Sequence, residues 1–166
     1  MRTQAVTYRG GRAPWVVFVG EAPGADEDRV GLPFVGRAGR ILDRAIERAG
    51  LGPADFGIVN VLKCRPPANR FDPRAARTCR PYLDRQLDLL RPERLVTLGR
   101  FALRALRPEA PPILRAAGTP LAGTGRPVFP LIHPAATLRA HRFAERWDRD
   151  IDALALWLAD RPRQTP

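Results

Sequence analysis

Short unbroken apolar runs alternate along the chain with longer stretches in which apolar residues recur every three or four positions. Four of the runs have the length and composition of strands buried on both faces: residues 15–19, 57–62, 95–98 and 128–132. The helical spacing predicts helices at residues 37–50, 73–91 and 143–158, and a shorter one that begins at residue 100. Strands separated by helices predict an α/β fold in which helices cover both faces of a parallel sheet.

Turn-forming residues punctuate this pattern. Gly50 suits the end of the first helix. Asp72 followed by Pro73 is typical of a helix cap with proline in the first turn. Residues 108–125 are rich in Pro and Gly, and they predict an extended surface connection.

The composition is that of a folded domain. The chain has 166 residues, of which 45% are apolar, enough for a real core. We expect one domain over residues 1–166, with an N-terminal extension at 1–14 and a frayed tail at 161–166. No apolar run approaches the ~18 residues of a membrane span, and the first ten residues lack the apolar core of a secretory signal. We therefore expect a cytoplasmic protein that acts as a monomer and contacts no membrane.

The chain is strongly basic. It has 28 basic residues against 17 acidic ones, a net charge of +11, and Lys63 is its only lysine. A bias in genome composition explains arginine in place of lysine, but it does not explain the surplus over the acids. A surplus of this size attracts polyanions, above all nucleic acid.

Ligands of parallel α/β sheets bind beyond the C-terminal ends of the strands, so the residues that follow each run matter most. Residues 20–24, Gly-Glu-Ala-Pro-Gly, form a tight turn that matches neither the dinucleotide-binding nor the phosphate-loop pattern. Asn60 lies among apolar residues, where a buried amide needs hydrogen-bond partners. His133 follows the last run. Taken alone, each feature has a plain structural explanation as a turn, a brace or a strand exit.

Three segments taken together carry a resemblance. "GEAPGADEDRVGLPFVGRAGRILD", "NVLKCRPPANR" and "HPAATLR", in this order, resemble the family 4 uracil-DNA glycosylases of bacteria and archaea. The resemblance covers residues 15–158. It implies a three-layer α/β/α fold with a four-stranded parallel sheet. It also implies a partner, DNA containing uracil, from which the enzyme flips the base and hydrolyses its N-glycosidic bond.

The resemblance assigns roles to three residues of the pocket. Phe34 matches the aromatic residue on which uracil stacks. Asn60 matches the residue that reads the base, since its amide donates to O4 and accepts from N3–H, a pattern that cytosine reverses. His133 matches the histidine at uracil O2, where negative charge develops as the base leaves.

The same resemblance places the first turn around the base, through Gly20, Glu21, Ala22, Pro23 and Gly24. Classical uracil glycosylases carry aspartate where this chain has Ala22, so no carboxylate is expected at that point. Glu21 and Glu27 are the candidates for orienting the attacking water. We take Glu21 as catalytic together with Asn60 and His133.

The DNA contacts are expected around the pocket. Leu138 is either a buried anchor of its loop or a wedge that fills the gap left by the flipped nucleotide. Phosphate contacts are predicted for Lys63, Arg65, Arg70 and Arg139, although a solvated surface position is the competing explanation for each arginine.

The cysteines depart from the family pattern. Members of the family usually hold a [4Fe–4S] cluster on four cysteines, and Cys64 and Cys79 match the later two. The residues before Trp15 contain no cysteine, so we expect no metal and no cofactor, with the cluster as the alternative. Two other functions stay open: a glycosylase for deaminated purines such as hypoxanthine and xanthine, and a DNA-binding module that has lost turnover.

Overall fold

The structure is a computed structural model that describes residues 3–123 and 125–160. The tail predicted at 161–166 lies outside the described residues. The four apolar runs form the parallel strands β2 (Val16–Gly20), β3 (Phe56–Asn60), β4 (Arg94–Leu98) and β5 (Val128–Leu131). They lie in the order β3-β2-β4-β5, and each neighbouring pair is parallel. The predicted fold class is confirmed.

The sheet has a fifth strand, which corrects the predicted count of four. β1 (Arg9–Gly10) pairs antiparallel with β3 at the edge of the sheet, inside the segment expected to be an N-terminal extension. Two residues are too few to show a strand pattern in the sequence. In the same segment Val6 is completely buried, and its N–H donates to the carbonyl of Lys63 at 2.7 Å. This part of the chain therefore extends the sheet.

Helices cover both faces of the sheet: α1 (Ala25–Val30), α2 (Arg37–Arg48), α3 (Pro73–Leu90), α4 (Arg100–Leu106), α5 (Ile113–Ala116) and α6 (His141–Ala159). On one face α2 and α6 pack through Leu42 and Trp147, and on the other α3 and α4 pack through Leu83 and Leu103. The three layers match the prediction. In the described part of the chain, no helix combines the length and the apolar character needed to cross a bilayer.

The segment at 108–125 is more ordered than an extended surface connection. It contains α5, whose Ala116 is buried against the sheet, and Leu121 forms a two-way backbone bridge with Val128. A helix of four residues is too short to produce a periodic pattern, which is why the sequence did not predict it.

Candidate active site

A cavity of about 800 Å³ opens at the C-terminal edge of the sheet. Its walls come from the segments that follow β2, β3, β4 and β5, so four separate parts of the chain meet there. Of the residues predicted from the sequence, those that line the cavity are Glu21, Ala22, Pro23, Gly24, Glu27, Phe34, Arg70, His133 and Arg139. The strand ends thus converge as the parallel sheet predicts.

Glu27 holds two parts of the cavity wall together. One oxygen of its carboxylate accepts from the N–H of Gly24 at 3.0 Å. The other accepts from Val35 and Gly36, both at 2.9 Å. Three backbone donors therefore occupy this carboxylate, so its role is to position the loop that carries Phe34. Glu21 is the other carboxylate for which the sequence predicts a contact with water.

Phe34 is fixed by its backbone. Its φ of +56° lies in the left-handed region, which a bulky residue adopts only when the surroundings impose it. α2 packs directly on this residue, because a Cβ at Gly39 would lie 1.9 Å from the carbonyl oxygen of Phe34. The aromatic ring is thus presented from a rigid support.

Asn60 and Gly20 lie behind Phe34 rather than in the open wall of the cavity. They are paired across β2 and β3, and a Cβ at Gly20 would come within 2.4 Å of both the Asn60 Oδ1 and the Phe34 ring. Asn60 is only 1% exposed, and among the described residues its Oδ1 and Nδ2 have no hydrogen-bond partner. A buried amide without partners is unusual and points to a partner from outside the protein.

His133 is held as a neutral imidazole. Its Nδ1 accepts from the N–H of Ala135 at 3.2 Å, so the ring proton resides on Nε2. The pKa of His133 is lowered to about 4, chiefly by burial and also by the charge of Arg139, against the opposing charge of Glu27. The ring lies 5.8 Å from that of Phe34, centroid to centroid. The site therefore contains a neutral N–H donor beside the aromatic ring.

Charged groups surround Glu21 at the cavity. Burial raises the pKa of Glu21, and the charges of Arg100 and Arg139 oppose that rise. No described residue hydrogen-bonds its carboxylate, so both oxygens remain available to a water molecule. Arg70, Arg100 and Arg139 are exposed and line the cavity, which gives it a cationic rim. The sequence did not single out Arg100, although it follows the strand-end glycine at 99.

The structure corrects the prediction of a phosphate contact for Lys63. This side chain is 6% exposed, and its Nζ donates to the carbonyl of Asn60 and to Gln86 Oε1. Burial lowers the pKa of Lys63 to about 8. It braces the strand end that carries Asn60 and cannot reach DNA. Arg65 is half-buried and lines a second cavity rather than the first, and its Nε donates to Asn69 Oδ1 at 2.8 Å.

Leu138 lies beside Arg139 in the loop that precedes α6. Its side chain is 47% exposed. This exposure is more than a buried anchor would have, and the wedge stays a prediction.

Cys64 and Cys79 line a separate cavity of about 570 Å³, and both are free thiols. Within residues 3–123 and 125–160, no group of three or more His, Cys, Asp or Glu is arranged to hold a metal ion. A [4Fe–4S] cluster takes four thiolates. The described residues supply two, so by themselves they do not fit the cluster that the resemblance implies.

Comparisons with known proteins match almost the whole described chain. The model of the uracil DNA glycosylase superfamily matches residues 9–154. A type-4 uracil-DNA glycosylase of Archaeoglobus fulgidus is 40% identical over 158 residues, 90% of this chain and 79% of that protein. The type-4 enzyme of Sulfurisphaera tokodaii is 42% identical and that of Thermotoga maritima 38%, over 82% and 83% of this chain and 67% and 73% of theirs.

Proposed function

The chain belongs to the uracil DNA glycosylase superfamily, and from this premise we propose that it removes uracil from DNA by hydrolysing the N-glycosidic bond. The observation that carries the proposal is the Asn60 amide, which is buried without a partner among the described residues behind Phe34, a residue that lines the cationic cavity. An amide of this kind reads the edge of a single base.

Base recognition uses both groups of the amide. The Asn60 Nδ2 donates to uracil O4, and Oδ1 accepts from N3–H. Cytosine presents a donor and an acceptor in the reverse order, so its entry leaves buried polar groups unpaired. Phe34 lines the cavity and Asn60 does not, so we expect the Phe34 side chain to rotate on its fixed backbone as the base enters and then to stack on the base.

Bond cleavage depends on His133. As the bond between C1′ of deoxyribose and N1 of uracil breaks, its electron pair goes to the base, and negative charge collects on O2. The Nε2–H of His133 donates to this oxygen and stabilises the transition state. The imidazole stays neutral and donates a hydrogen bond without transferring its proton, because the pKa of His133 near 4 keeps it deprotonated at Nδ1.

Glu21 is the residue that orients the water. Its carboxylate accepts one proton of the water, whose oxygen bonds to C1′ and completes the abasic product. The released proton ends on the uracil anion through solvent. The deoxyribosyl cation is already electrophilic, so we expect Glu21 to contribute less to the rate than His133.

The rim of the cavity holds DNA. Arg70, Arg100 and Arg139 contact phosphates, and Leu138 enters the base stack where the uracil has left. All of these residues come from one chain, which supports action as a monomer. We propose that the enzyme works where the DNA is, in the cytoplasm of a cell without a nucleus.

The direct test is incubation with an oligonucleotide that contains one uracil, followed by alkaline cleavage at abasic sites. Strand cleavage at the uracil position is expected, and none in the matched thymine oligonucleotide. A panel with hypoxanthine and xanthine distinguishes a purine glycosylase. If purified protein binds the uracil strand but releases no base in a single turnover, the chain is a binding module and the proposal fails.

Salt dependence tests the cationic rim. If several arginines contact phosphates, the logarithm of the affinity for DNA falls linearly with the logarithm of the salt concentration. Arg139→Gln is expected to reduce this slope by about 1. The control Arg85→Gln changes an exposed arginine on α3 that does not line the cavity, and it should leave the slope unchanged. A flat dependence in the wild type would contradict the phosphate contacts.

Substitution of the two cysteines tests whether the protein needs an iron–sulfur cluster. We propose that the chain folds and acts without iron, so Cys64→Ser and Cys79→Ser should each cost roughly 1–3 kcal/mol of unfolding free energy, with activity retained. Iron and sulfide content is measured after anaerobic purification of the wild type. Stoichiometric iron and sulfide would overturn this proposal and show that ligands outside the described residues, or from a second chain, complete the cluster.

A further inference from the structure

Two aromatic rings other than Phe34 stack on each other in the wall of the large cavity. Phe71 precedes α3 and Phe101 lies in the first turn of α4, and their centroids are 4.1 Å apart with the planes tilted by 15°. The Cζ atom of Arg100 lies 4.5 Å from the centre of the Phe101 ring. All three side chains line the cavity. We call this group the aromatic shelf.

The cavity is larger than one pyrimidine requires. At about 800 Å³ it falls in the range of sites that bury a drug-sized ligand, about 300–1,000 Å³. Its lining includes Glu21, Phe34 and His133, the groups that the reaction uses. It also includes Phe71, Phe101, Ile113 and Leu114, to which the reaction gives no role.

Flipping a nucleotide leaves the two neighbouring bases partly unstacked, and the aromatic shelf offers a stacking surface for one of them. When uracil leaves the stack, each neighbouring base loses the ring that covered one of its faces. Leu138 is a single wedge and covers one of the two. Aromatic rings and the guanidinium plane of arginine are the side chains on which unstacked bases rest, and they accept any base because every base has a π face.

We propose that Phe71, Phe101 and Arg100 form a second base-binding subsite, which stacks the base of a nucleotide adjacent to the flipped uracil in single-stranded DNA. The inference rests on the proposed function, since the uracil fixes the register of the strand. The cationic charge of Arg70 and Arg100 matches the phosphates on either side of that base. A duplex must break a base pair to fill the subsite, whereas a single strand need not, so single-stranded DNA is the preferred substrate.

The test uses three single-stranded oligonucleotides with one uracil each. One is intact, one lacks the base on the 5′ side of the uracil, and one lacks the base on the 3′ side. For the wild type, kcat/KM is expected to fall by about tenfold for one of the two abasic-flanked oligonucleotides, mainly through KM. For the double variant Phe71→Leu, Phe101→Leu, which keeps apolar packing but removes the rings, the intact oligonucleotide is expected to be as poor a substrate as the abasic-flanked one.

A second measurement compares single-stranded with double-stranded substrates. The wild type should favour the single strand, and the double variant should lose most of that preference. Tyr82→Leu is the matched control, because it removes a ring on α3 from a residue that is 64% exposed and does not line the cavity. In this variant, both the loss of kcat/KM caused by the missing base and the preference for single-stranded DNA should stay at the wild-type value.

The outcomes separate the two proposals. Equal kcat/KM of the wild type for all three oligonucleotides overturns the subsite, and this result needs no variant to fold. Equal sensitivity of the wild type and the double variant to the missing base also overturns it. Absence of uracil release from any oligonucleotide overturns the proposed function instead.

Discussion

Replacement of His133 by alanine is expected to lower the rate constant of uracil release by roughly 10²–10³-fold, the usual loss for one donor to a developing oxyanion. The donor matters most when charge has formed on the leaving base, so substrate affinity should change little. The neutral state of the ring, set by burial and by the bond from Ala135 to Nδ1, makes it a donor over the whole neutral pH range.

Single-turnover kinetics with saturating enzyme measure this rate constant directly, and binding of uracil-containing DNA is measured separately. His141→Ala is the matched control, because the other histidine of the chain has a side chain that is 87% exposed and lies at the start of α6. A near wild-type rate for His133→Ala would mean that another group stabilises the leaving base.

Asn60→Ala is expected to lower activity on uracil-DNA by at least tenfold. The variant removes both hydrogen bonds to the base edge, whereas arginines at phosphates provide most of the affinity for DNA. Affinity for uracil-free DNA should therefore be little changed. Discrimination between uracil and cytosine should narrow as well, since the unpaired polar groups that reject cytosine are gone.

The control for Asn60 is Thr97→Val on β4. Thr97 is fully buried, and its hydroxyl also has no partner among the described residues, but it is paired with Val19 and Pro130 inside the sheet, whereas Asn60 is paired with Gly20 at the strand end. The valine keeps the shape of the side chain, so activity should be retained. If Asn60→Ala weakens binding to uracil-free DNA as much as it lowers activity, the variant has misfolded and the assignment of Asn60 fails.

The sequence predicted the parallel strands and the long helices because each is long enough to show its period. β1, with two residues, and α5, with four, show none. α1 has three acidic residues in its first turn and presents no apolar stripe. These elements form because contacts with the surrounding sheet and helices stabilise them. Such tertiary contacts leave no pattern in the local sequence.

The sequence predicted those site residues that lie close to the C-terminal ends of the strands. Glu21 and His133 come directly after apolar runs, and the structure brings them to one cavity. Lys63 was misjudged because lysine is seldom buried, and only the tertiary contact with Gln86 shows why it is here. The stack of Phe71 on Phe101 joins residues 30 positions apart, from the ends of different strands. No spacing rule on a single sequence reveals such a pair.

The unpartnered amide of Asn60 has a consequence for folding. A buried donor or acceptor without a hydrogen bond costs about 1–3 kcal/mol, a noticeable part of the stability of a domain of this size. A base that pairs with both groups of the amide removes this cost. Ligand binding and thermal stability are therefore linked. The unpaired Asn60 amide lowers the free energy of unfolding, and a bound uracil raises it again by pairing with that amide.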